Sequence, residues 1–112
     1  MPLSTIRRDR RAPAKSDGSE RSALLEQRAV TGGQVWARKT RQDFHDEGRR
    51  AAGGWPGTMS EARARVAEFV LPWMARKGMV AATSAEYEQA ARVLYASARS
   101  TWLAQRDRED AP

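Results

Sequence analysis

Between residues 87 and 105 the side chains that suit a buried face recur in steps of four and three: Tyr87, Ala91, Leu94, Ala98, Thr101 and Gln105. That spacing puts them on one face of an α-helix, as a seam of coiled-coil type. Tyr95 and Trp102 flank it on one side, and the small Ala91 and Ala98 let a partner helix approach closely. Thr83 and Glu86 have the spacing of a capping box at its start. Nowhere do Val, Ile, Thr, Tyr, Phe or Trp alternate with polar residues over five positions, so no strand competes. A 112-residue chain organised around such a seam is one small domain. The expected fold is all-α, a small bundle of three to four helices with a basic N-terminal arm.

The remaining elements follow from punctuation and period. Residues 1–18 carry Pro2, Pro13 and Gly18 with few apolar groups, and read as a flexible basic arm. Ser19 is a candidate cap for a short helix whose apolar side is Ala23, Leu24, Leu25 and Val30, broken by Thr31-Gly32-Gly33. A second helix is expected over Gln34 to Ala52, with Val35, Trp36, Thr40 and Phe44 as a narrow buried stripe. Gly53-Gly54-Trp55-Pro56-Gly57 stops it. In the third, Thr58 and Glu61 fit a capping box, with Ser60 the competing cap. Ala62, Val66, Phe69, Val70 and Trp73 form its face. Pro72 lacks an N–H and clashes with the carbonyl of Glu68, so this helix kinks or ends there. Lys77-Gly78 closes the segment. The domain is expected to span 19–108, with a frayed tail over 109–112.

Composition excludes several chemistries. With no cysteine there is neither a disulfide framework nor a thiolate metal site, and the single histidine, His45, rules out any site needing two imidazoles. The longest apolar run, Phe69 to Ala75, is seven residues, far short of the about 20 a membrane span needs. The N-terminus lacks an apolar signal segment. A cytoplasmic, non-membrane protein is the expectation. Asp43, Asp46 and Glu47 can approach one another on a helix while His45 points elsewhere, so no metal site is expected there. No catalytic motif is present, and neither an enzymatic activity nor a cofactor is expected.

What remains is charge. The chain carries 20 Lys plus Arg against 14 Asp plus Glu, a net charge of +6 with a pI near 10.7. The excess lies over the first 80 residues; segment 81–112 has a net charge of −1. Arg38, Arg41, His45 and Arg49 are spaced to share one helical face, and Arg7, Arg8, Arg10 and Arg11 load the arm. A basic arm beside a basic helix suits the phosphate backbone of DNA or RNA, with an accessory or regulatory role. The competing reading is a solvated face neutralised by its own carboxylates. A second functional reading is a protein-interaction module, an adaptor or a mobile-element-encoded inhibitor docking on a larger protein through Trp55, Leu71, Met74, Tyr95 and Trp102. The apolar surplus over 69–80 motivates it, and the same surplus makes a homodimer the expected assembly. A helix-turn-helix built from helices 58–77 and 84–106 is disfavoured. Its recognition helix would present Glu86 and Glu88 to base edges.

Overall fold

The computed structural model describes the backbone from Pro2 to Asp110 and the side chains from Ser19 to Glu109. The chain is all-α, in the order α1 (Pro2–Asp46), α2 (Met59–Phe69), α3 (Leu71–Arg76) and α4 (Ser84–Asp110). The expected basic arm, Arg7, Arg8, Arg10 and Arg11 included, lies outside the residues whose side chains are described. No helix among the described residues is long and apolar enough to cross a membrane.

Three contacts define the relation of α1 to α4. Arg21 pairs with Glu86, the Ser97 hydroxyl donates to the Val30 carbonyl at 2.7 Å, and Arg41 pairs with Glu109. Partners rise together along both helices, so α1 and α4 run parallel. α2 returns against both helices, and the short α3 follows on from it. The core is Leu25, Ala29, Trp36 and Ala37 from α1, Ala62, Val66, Val70 and Met74 from the returning arm and its break, and Ala90, Ala91, Leu94, Ala98 and Trp102 from α4. The seam read from α4 therefore does face partner helices, with Leu94 and Ala98 fully buried.

The largest departure from the sequence reading is at Gly32-Gly33, which does not break the chain: α1 passes through both residues. A β-carbon on Gly33 would meet the Leu94 carbonyl, the Ser97 Cβ at 2.7 Å and the Ala98 amide nitrogen at 2.9 Å. One on Gly32 would crowd Leu94 Cδ1 and Phe69 Cβ at 3.2 Å each. Glycine inside a helix costs roughly 1 kcal/mol relative to alanine. Here it permits a helix–helix approach that no side chain allows. The tight contact expected of α4 is therefore made within the monomer, to α1. The burial pattern on α1 shifts accordingly: Leu25 and Trp36 are inside, while Leu24 and Val35 are exposed.

The other ends follow local chemistry. α1 stops at Asp46, before the expected Ala52, because Gly48 turns into the left-handed region (φ 71°) and ends the ladder. The Thr58–Glu61 capping box is present in both directions. The Thr83–Glu86 box is too, with Thr83 N donating to Glu86 Oε1 at 2.9 Å and Glu86 N to Thr83 Oγ1 at 3.1 Å. Pro72 splits the third expected helix, and Val70 ends α2 and starts α3. The Phe69 carbonyl beside that break accepts from Arg28 Nε at 2.9 Å. The break turns Met74 inward, so much of the apolar surplus over 69–80 is absorbed by the monomer. Val80, 79% exposed, is its main remainder. α4 continues to Asp110, so Glu109 belongs to the helix and not to a frayed tail.

Candidate functional site

The lower end of the bundle, where α1 and α4 finish, holds an aromatic chain. Trp55 is wedged between Trp36 and Trp102, its ring centroid 4.7 Å from the first and 5.5 Å from the second. Phe44 meets Trp102 edge-on at 5.2 Å. The Trp102 indole N–H donates to the Gly53 carbonyl at 2.8 Å, which ties down the loop between α1 and α2. Trp55, expected among the docking residues, is thus tucked against Trp36 and Trp102. Met74 and Trp102 correct the expected interface set. At 2% and 1% exposure they are core residues and offer nothing to a partner. Leu71 and Tyr95 are half-buried against the same core.

Outside the aromatic chain lies a cleft of about 400 Å³ lined by Arg38, Arg41, Gln42 and His45 of α1 and by Gln105 and Glu109 of α4. The helical period did bring Arg38, Arg41 and His45 to one side. Arg49 does not join them. It lies past the end of α1, its guanidinium 3.8 Å from the centre of the Phe44 ring and 3.0 Å from Glu47 Oε1. The cause is Gly48, which ends the helix one turn too early for the stripe to continue.

Arg41 is the centre of the cleft. Its side chain is 13% exposed and lies 5.2 Å from the centre of the Trp102 ring. It makes a fork onto Glu109, with Nε to Oε2 at 2.7 Å and Nη2 to Oε1 at 2.5 Å. Its Nη1 and Nη2 are both buried without a hydrogen-bond partner, Nη2 despite its closeness to Glu109, and so is Gln105 Oε1. Arg41's hydrogen bond holds the Glu109 carboxyl below its usual range, with the charges of Arg41 and Arg50 adding to the effect. Arg38 and His45 are exposed on the rim. Gln105 and Glu109 were not foreseen as cleft residues. Only the parallel register of α1 and α4 brings them there, and nothing local in the sequence announces it.

The carboxylates of the first turns of α4 are engaged by arginines of α1 and α2. Glu86 is held by Arg21 and the Thr83 amide, which lower its pKa to about 2, and Glu88 is forked by Arg63 at 2.8 and 3.3 Å. On the outer face of α4, Arg92 and Arg99 are exposed seven residues apart, a basic stripe the overall charge of this segment hid. Among the described residues, no group of three His, Cys, Asp or Glu side chains is placed to hold a metal ion. Comparison with known proteins found no matching family model, no matching curated protein and no matching solved structure.

Proposed function

We propose that this protein is a small helical accessory factor that binds nucleic acid through the phosphate backbone. One observation carries the reading. The acids Glu47, Glu68, Glu86, Glu88, Asp107 and Glu109 are each engaged in an arginine ion pair. By contrast, the exposed Arg38, Lys39, Arg76, Lys77 and Arg99 have no ion-pair partner among the described residues. These five side chains present positive charge outward, beside the exposed acids Glu20, Glu26 and Asp43, in a chain of net charge +6. Arginine forks suit phosphate oxygens, and such contacts position a protein without reading bases.

The test is anisotropy of labelled single-stranded DNA, single-stranded RNA and duplex DNA titrated with the full chain across a salt series. The expected result is binding that weakens linearly in log–log form, with a slope of about −0.7 per phosphate contact on single strands. No binding to any of the three at low ionic strength overturns the reading. Arg38→Glu is expected to weaken binding and flatten the slope without changing the helical content.

A further inference from the structure

We infer that the Arg38–Arg41–His45 cleft is the site that takes a backbone phosphate, and that Glu109 occupies it as an internal competitor. This rests on the nucleic-acid reading above and adds to it a location and a restraint. The groups in the cleft are matched to an oxyanion with more acceptors than a carboxylate. Glu109 supplies two oxygens; one accepts from Nε of Arg41, and the other lies 2.5 Å from Nη2, which still makes no hydrogen bond. Nη1 is left buried with no acceptor. A phosphate has additional oxygens to offer that third position. A buried donor left without an acceptor is costly, so the cleft favours a ligand that completes the fork. Arg38 and His45 on the rim supply the remaining donors at no cost in rearrangement, because neither is engaged elsewhere.

Glu109 is also placed to leave. Its side chain is 58% exposed, and it stands in the last turn of α4, where the helix macrodipole disfavours a carboxylate. Arg41 does not follow it out, because the Trp102 ring keeps the guanidinium in place. An incoming phosphate therefore exchanges for Glu109 on a guanidinium that is already positioned. In this arrangement the acidic end of α4 lowers affinity for every polyanion.

The experiment uses the full chain and two readouts. Oligonucleotide affinity is measured for wild type, Glu109→Gln, Arg41→Gln, the double variant and Glu68→Gln. The last removes a charge from the Arg65 pair on α2, away from the cleft. Separately, the Arg41 Nε–Hε resonance is followed by NMR as inorganic phosphate is added. The expected results are several-fold tighter oligonucleotide binding for Glu109→Gln than for Glu68→Gln, loss of that gain in the double variant, and a saturable shift of the Arg41 resonance. An equal effect of the two charge removals, with wild type still binding, overturns the cleft assignment and leaves the nucleic-acid reading standing. Failure of every variant to bind oligonucleotide overturns the nucleic-acid reading. The phosphate titration then decides the cleft by itself, since an unmoved Arg41 resonance overturns it as a phosphate site.

Discussion

At the upper end of the α1–α4 pair, Arg21 makes four hydrogen bonds, two to Glu86 and one each to the carbonyls of Val80 and Ala81. At the lower end, Arg41 faces Glu109 in a similar fork but leaves two buried nitrogens without a hydrogen bond. The residue types match and so does the register, twenty residues along α1 and twenty-three along α4. Their surroundings differ. Glu86 is also the capping acid of α4, fixed from two directions and about one-quarter exposed, while Glu109 stands in the final turn with one partner and is more than half exposed. The upper bridge leaves no buried donor without a hydrogen bond and so belongs to the architecture. The lower one has donors to spare and an acceptor that can be exchanged. An ion pair by itself says little about function; which of its groups remain unused says more.

The contrast is broken most severely by Trp102→Ala. It deletes the hub of the aromatic chain and the hydrogen bond to Gly53, and should cost about 3–5 kcal/mol in chemical denaturation. Hydrogen exchange should report the 47–58 loop opening first, while the 77–83 loop beside Arg21 stays protected. Gly33→Ala acts between the two ends. Its methyl would be forced against the α4 backbone, and overpacking of that kind costs about 1–3 kcal/mol, against a smaller gain in helix propensity. A variant as stable as wild type would show that the helices can separate freely, and the close approach would lose its meaning.

Arg21→Ala comes next, with a lower Tm and faster exchange at Val80 to Ala82. Its counterpart Arg41→Gln should change Tm less and oligonucleotide binding more. A reversal of that order would end the distinction drawn above. The mildest probe is acid. The Glu86 carboxyl ordinarily titrates near 4.5 and is depressed to about 2, so its contribution is present above the higher value and is lost as pH falls through the window between them. Thermal unfolding followed across that window should show a pH dependence that Glu86→Gln flattens.

Much of this organisation was legible locally. Both Thr–Glu capping boxes sit within four residues of sequence, and Pro72 and Gly78 act through their own backbones. The α1 side of the cleft was legible too, because Arg38, Arg41 and His45 are related by a helical period alone. What could not be read was anything that depended on which helix lies next to which. Gly32-Gly33 looks like a chain breaker until α4 is seen against it. Glu109 looks like part of a frayed tail until the parallel register carries it to Arg41. Met74 and Trp102 looked like surface anchors because the turn at Val70 and the loop over Trp102 are tertiary events. Arg49 failed for a smaller reason, a single left-handed glycine one residue before it.

The paired glycines have a mechanical consequence. Two helices that touch backbone to backbone at one level cannot slide past each other there, since any axial shift drives a main-chain atom into a side chain. The Leu94 and Phe69 side chains close around the same level, so the contact fixes the pair as a rivet does. Arg21 and Arg41 lie about 30 Å apart along α1, on either side of that rivet. The register that sets Arg21 against Glu86 is therefore the same one that sets Arg41 against Glu109.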